Sequence, residues 1–230
     1  MTAKPTIVLV GADKGGVGKT TVCRALIDYI GSRGVPARIF DTEHPKGDLR
    51  MFYPESVNVI DFGSVRDQMT VFDGVTGNAI TVVDIRAGVL SPMLRTLDEA
   101  HFLDDVRTGE VVLAILHVLG PSMASLSEVM ALTQMIGTSA RHLIVKNHIN
   151  DTEYDLANDP RYSEFFRVAA PGTIMVPKIP ALAAEKVQQL QMPFAAFAAS
   201  KESRMLRGYV RAWLSSVWGE FDRVGINNLL

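Results

Sequence analysis

Ten residues into the chain stands "GADKGGVGKTT" (11–21), directly behind the apolar run "TIVLV" (6–10). No other stretch restricts the fold as strongly. Gly15, Gly16 and Gly18 allow the backbone to turn so that successive N–H groups point inward and form an anion nest. A helix opening at Lys19 adds its unpaired N–H groups and the positive end of its dipole. In that frame Val17 and Thr21 complete the loop, Lys19 reaches phosphate oxygens, and the Thr20 hydroxyl is placed to ligate Mg²⁺. Strand, glycine turn, Lys-Thr and helix in this order predict a phosphate-binding loop at the carboxyl end of a buried strand.

The rest of the chain supplies a matching frame. Apolar runs at 6–10, 37–40, 79–84, 110–118, 141–147 and 172–177 show little alternation, as strands covered on both faces should. Between them, 19–34, 90–106 and 122–137 space apolar residues three and four apart, and the first and third run into a glycine. Residues 49–78 are less regular, with a short segment around "VNVIDF" and a helix after it. From 181 onward the chain reads as helical. This βαβ series predicts an α/β fold, a three-layer sandwich with a mostly parallel central sheet and helices on both faces, over a single domain from 1 to 230.

Composition narrows the classes. A formal charge of −2 argues against coating nucleic acid by global charge, although a local basic patch remains open. Cys23 is the one cysteine, so no internal disulfide forms and a reducing, cytoplasmic setting is expected. The first ten residues read as a strand leading into the loop rather than a signal peptide. The run "VVLAILHVLG" is roughly half the length of a membrane span. The final "INNLL" makes no amphipathic membrane helix, so no stable membrane association is expected.

"KGGVGKTT" resembles the deviant Walker A motif of the ParA/MinD superfamily of P-loop ATPases, and the strand series fits that fold from residue 6 to about 190. The resemblance implies ATP and Mg²⁺ as cofactors and a nucleotide-sandwich homodimer when ATP is bound. It gives Lys14 a catalytic role, reaching across to the phosphates of the other subunit. An exposed lysine with no such duty is the competing reading. Asp13 stands where the general pattern G-x-x-x-x-G-K-[ST] wants glycine. A carboxylate there repels phosphates unless it turns away or pairs with a lysine, and the sequence supplies no role for it.

Asp41 and Glu43 follow the second strand, and alternation in an extended segment puts them on one side. Family members usually carry Asp-x-Asp here, by the Mg²⁺ and the attacking water, so the resemblance implies catalytic roles for both and a metal role for Asp41. Glu43 is the departure. Its extra methylene moves the carboxylate by about 1 Å, and such a displacement costs roughly 100-fold in rate where geometry is critical. Asp84 ends "AITVVD" and resembles the Walker B aspartate that holds Mg²⁺ through water. Gly88 stands where the family's switch segment has glycine, and Arg86 replaces a common proline; a phosphate or subunit contact and a plain surface position are both open for it. Asn147 resembles the asparagine that reads the adenine edge, though an asparagine at a strand end also caps turns, and Asn150 is its substitute if the strand runs on. Pro177, in "MVPKIP", resembles the segment that closes over the base.

Other features carry less. His142 and His148 lack the spacing of a zinc helix, and no "GxSxG" elbow is present. Met123, Met130 and Met135 read as packing. Arg204, Arg207 and Arg211 line one face of the last helix while Leu206, Val210, Trp213 and Val217 line another. The basic face is either solvated or a non-specific DNA site of the kind family members carry near the carboxyl end. The expected activity is slow ATP hydrolysis that drives a dimerisation switch for DNA or protein cargo. A non-hydrolysing regulator and a small-molecule ligase or kinase of the same fold are the alternatives.

Overall fold

Each apolar run becomes a strand with core on both sides. The computed structural model describes residues 4–120, 122–150, 154 and 172–230, so the Met123 and Asn150 side chains lie outside the described set. The strands are β1 (Thr6–Gly11), β2 (Ala37–Asp41), β3 (Val57–Val59), β4 (Ile80–Asp84), β5 (Val112–Val118), β6 (Arg141–Asn147) and β7 (Gly172–Val176). They form one sheet in the order β3-β2-β4-β1-β5-β6-β7. Every pairing among them is parallel. In β1, Val8 and Val10 enter one core layer and Ile7 and Leu9 the other, which is why the run alternates in direction but not in polarity.

Helices α1 (Lys19–Ser32), α2 (Val65–Phe72), α3 (Leu90–Glu99), α4 (Phe102–Thr108) and α5 (Met123–Ile136) follow the strands. After β7 come α6 (Ala181–Leu190), α7 (Phe194–Ala199) and α8 (Arg204–Arg223), then a short 3-10 helix (Ile226–Leu229). On one side of the sheet Val22, Leu26 and Ile30 of α1 and Val210, Trp213, Val217 and Phe221 of α8 share one core layer, and the Tyr29 ring of α1 meets Trp218 and Phe221 of α8 edge-on. The opposite layer joins Met93, Leu94 and Leu97 of α3 to Leu132 and Ile136 of α5. Met130 and Met135 pack at the edges of the core, as the spacing predicts.

The expected helix over 90–106 is two helices, and the hydrophobic phase explains the break. At about 100° per residue, a helix continuing past Leu97 would bring His101 and Asp104 inward and turn Leu103 and Val106 out. Instead His101 adopts φ 60° and restarts the chain as α4, so that Leu103 and Val106 are buried.

One long contact escaped the sequence. Arg24 of α1 is buried with its guanidinium 3.4 Å from the centre of the Phe52 ring and 4.0 Å from that of Phe194. It donates to the Met192 carbonyl at 3.0 Å. Four residues on, Asp28 accepts the Ala195 amide at 2.7 Å and the Tyr53 hydroxyl at 2.9 Å. This polar seam docks the connection between α6 and α7 onto the helix that carries the glycine loop.

Candidate functional site

The carboxyl ends of β1, β2 and β4 meet at one place. In the register Val10 lies opposite Asp84, and Asp84 opposite Asp41. An open cleft of about 270 Å³ lies there, with the glycine loop on one wall and the segments after β2 and β4 on the other. Gly15, Gly16, Gly18, Lys19, Thr20, Thr21, Asp41, Glu43, Asp84 and Arg86 all line it, so residues far apart in sequence come together as expected. Asp48 also lines it and was not foreseen.

Helix α1 begins at Gly18 with no capping side chain and no acid in its first turn, which leaves its amides facing the cleft. Gly18 has φ 86°, and a Cβ there would fall 2.2 Å from Asn147 Nδ2, so two constraints require glycine. Asn147 is buried and donates to the carbonyls of Val17 at 3.1 Å and Gly18 at 3.4 Å. The structure places it behind the loop, outside the cleft lining. Pro177 also stands outside that lining, and its carbonyl accepts the Trp213 indole N–H at 2.7 Å.

Lys19 is half-buried and donates to its own loop, at the Lys14 carbonyl, 3.2 Å away. Burial holds its pKa below the usual lysine value, opposed by Asp84, Glu43, Glu128 and Asp13. Asp84 is buried, and burial followed by Asp41 pushes its carboxyl up to about 8, while a hydrogen bond from Thr20 and the charge of Lys19 oppose the rise. Its Oδ1 is buried without a hydrogen-bond partner. An orphaned carboxylate oxygen beside a threonine hydroxyl and a second acid is a donor set that a hard divalent cation suits. Among the described residues no cluster of three or more His, Cys, Asp or Glu side chains forms a metal site from protein ligands alone. Mg²⁺ usually keeps several waters and leans on substrate phosphates, so a sparse set fits it.

Asp41 is used differently from a free acid. Its Oδ1 accepts the Glu43 amide at 2.8 Å and its Oδ2 the Leu49 amide at 2.7 Å, while burial raises its pKa. Glu43 therefore reaches the cleft through a turn closed by Asp41, since the strand ends at Asp41 and the extended alternation expected of the pair stops there. Thr42 is buried between them and links β2 to β4, donating to the Asp84 carbonyl and accepting the Arg86 amide at 2.7 Å.

Arg86 is exposed at the cleft, and Gly88 stands beyond it at φ 78°. Lys14 is exposed and outside the cleft lining; its stem crosses Gly120, where a Cβ would lie 3.0 Å from the lysine Cδ. In α8, Arg204 and Arg211 are exposed and Arg207 is partly buried; Arg207 donates to the Ser200 carbonyl at 2.7 Å and Arg211 to the Ala198 carbonyl at 3.0 Å. Two of the three arginines thus help to close the carboxyl end of α7.

Comparison with solved structures follows the same geometry. The cell division ATPase MinD of Pyrococcus furiosus matches with a TM-score of 0.52 at 18% identity, over 98% of this chain and 100% of that one. The fold is that of MinD. A nucleotide-binding protein from Archaeoglobus fulgidus, solved in complex with ADP, matches over 81% of this chain and 86% of that one, with a TM-score of 0.50 at 18% identity. MinD fold is also matched in the MinC:MinD cell division protein complex of Aquifex aeolicus, at 14% identity and a TM-score of 0.50, over 91% of this chain and 96% of that one. No family model and no curated protein matches the sequence. No helix among the described residues is long and apolar enough to cross a membrane.

Proposed function

We propose that this chain binds ATP with Mg²⁺, hydrolyses it slowly, and uses the nucleotide state to control pairing of two subunits that position DNA or protein cargo. The observation that carries this reading is one cleft in which an uncapped helix N-terminus, Lys19 and Thr20 face the unpartnered Asp84 oxygen and Glu43. The loop amides and α1 bind the phosphates, and Lys19 moves from the Lys14 carbonyl to a phosphate oxygen. The lining sets Asp41, Glu43, Asp48 and Asp84 against Lys19 and Arg86, so a polyphosphate needs a cation to enter. Thr20 and Asp84 would hold Mg²⁺, which supplies charge neutralisation between those carboxylates and the phosphates.

Asp41 holds the Glu43 amide in the turn after β2, and in this reading Glu43 is the group that orients the attacking water. Arg86 and Gly88 form the segment that senses the terminal phosphate. Lys14 is exposed beside Gly120 and is not among the residues lining its own cleft, which suits a residue serving a second subunit's phosphates. Asn147 acts on the loop carbonyls rather than on a base. In the DNA-cargo version, Arg204 and Arg211 supply the exposed charge of the α8 stripe, with Arg207 partly buried between them.

A direct test combines a nucleotide titration with multiple-turnover phosphate release, with and without DNA. Mg²⁺-dependent ATP binding that Lys19→Ala weakens by about tenfold or more supports the site, a loss matching one or more charge-assisted hydrogen bonds. ATP binding without phosphate release would favour the non-hydrolysing regulator, a reading to which the longer Glu43 side chain lends support. Absence of ATP binding by the wild type would contradict both.

A further inference from the structure

Asp13 is the residue for which the loop pattern has no use, and its contacts point out of the phosphate site. Its Oδ2 accepts the Ser91 hydroxyl at 2.6 Å and its Oδ1 lies 3.5 Å from the Ser91 amide. Its own amide donates to Glu128 Oε1 of α5 at 3.0 Å. Ser91 is in the first turn of α3, which has no side-chain cap at Val89 and no acid in that turn. Asp13 therefore supplies from the loop the negative charge that the start of α3 lacks. One residue earlier the same helix is pinned by packing, since Leu90 is fully buried and a Cβ at Gly11 would lie 3.0 Å from its side chain.

We propose that Asp13 is a positioning residue that clasps the phosphate loop to the start of α3, so that phosphate in the loop is transmitted to the Arg86–Gly88 segment immediately before that helix. The inference rests on the cleft being the nucleotide site. It explains why an acid is tolerated beside a phosphate nest: the carboxylate spends its charge on α3. It also makes α3 the output element, because its first turn is held by a residue adjacent to Lys14.

The test uses the full chain with Asp13→Ala, Ser91→Ala, the double variant, and Asp13→Asn, which keeps an acceptor for the Ser91 hydroxyl. Amide exchange of residues 90–94 is measured without nucleotide, ADP affinity by titration, and kcat and KM by phosphate release. Loss of a charge-assisted bond should raise exchange and lower kcat by about tenfold in each single variant. The double variant should be no worse than either single, and ADP affinity and KM should stay within about threefold of wild type. Asp13→Asn, which keeps the acceptor but not the charge, should fall between wild type and Asp13→Ala in both exchange and kcat. Unchanged exchange and kcat in the singles, or effects that multiply in the double variant, would overturn the proposal. So would faster exchange with unchanged kcat, which makes the contact a brace without transmission. A wild type that binds no nucleotide instead overturns the function reading and the transmission with it, while exchange alone still decides whether the clasp exists.

Discussion

Asp84 carries a stability cost that its proposed role explains. A carboxyl whose folded pKa is raised disfavours folding at every pH above its unfolded value, and here burial and Asp41 push it from 3.8 to about 8. Asp84→Asn keeps the shape and removes the charge. The nucleotide-free protein should then melt a few degrees higher, on the order of 2–4 °C per kcal/mol for a chain of this size. The gain should be largest near pH 8 and vanish near pH 4, while Mg²⁺-dependent ATP affinity falls by about tenfold or more. A lower melting temperature with Mg²⁺ dependence intact would make Asp84 a structural acid. Glu43 makes the opposite kind of prediction. Glu43→Ala should spare ATP binding and reduce phosphate release by about 10²-fold, and Glu43→Asp should raise release if reach limits the reaction. Release by Glu43→Ala at the wild-type rate would remove the residue from the water.

Elements were legible where one period ruled a run, and obscure where two distant elements shared a polar group. The strands and α1 follow from apolar runs and from Gly15, Gly16 and Gly18 acting within ten residues. The break at His101 is what lets both Leu97 and Leu103 be buried, a shift of phase between two apolar stretches that were read together as one helix. Asp13 and Glu128 are 115 residues apart, and nothing local marks their contact. Asp48 had a local signal, a second acid on the turn that Asp41 closes, yet only the fold of that turn brings it to the cleft. Asn147 was visible as a residue at a strand end, but its partner carbonyls lie on the loop it supports.

The β5–β6 pair gives an element-scale test in acid. His117 and His142 lie on adjacent strands with Nε2 and Nδ1 3.0 Å apart and rings stacked at 5.3 Å. Burial, then His142, lowers the His117 pKa from 6.5 to about 3, and burial lowers that of His142. Both are held neutral in the fold, so below pH 6.5 the unfolded chain takes up protons that the native state refuses. Stability is therefore lost as pH falls, by up to about 1.4 kcal/mol per pH unit for each histidine. Glu128, raised to about 7 by burial, works in the opposite direction, so the comparison must be between wild type and His117→Leu. The variant should lose part of the slope of denaturation midpoint against pH between 7 and 4. Parallel slopes would show that the pair does not resist protonation.

At the scale of the whole molecule, the three layers bring the loop, the β2 turn and the β4 segment to the carboxyl edge of the sheet, and Lys14 is the exposed loop lysine that does not line the cleft formed there. That placement sets the central claim: two subunits close over two nucleotides only when the terminal phosphates are present. The direct measurement is mass by light scattering for wild type and Lys14→Ala, with ADP and with ATP plus Mg²⁺, beside a nucleotide titration on the same samples. The account predicts a wild-type monomer with ADP and a dimer with ATP, and a Lys14→Ala protein that binds ATP through Lys19 and the loop amides yet stays monomeric. The same mass for both proteins in every nucleotide state, with ATP bound, would contradict it.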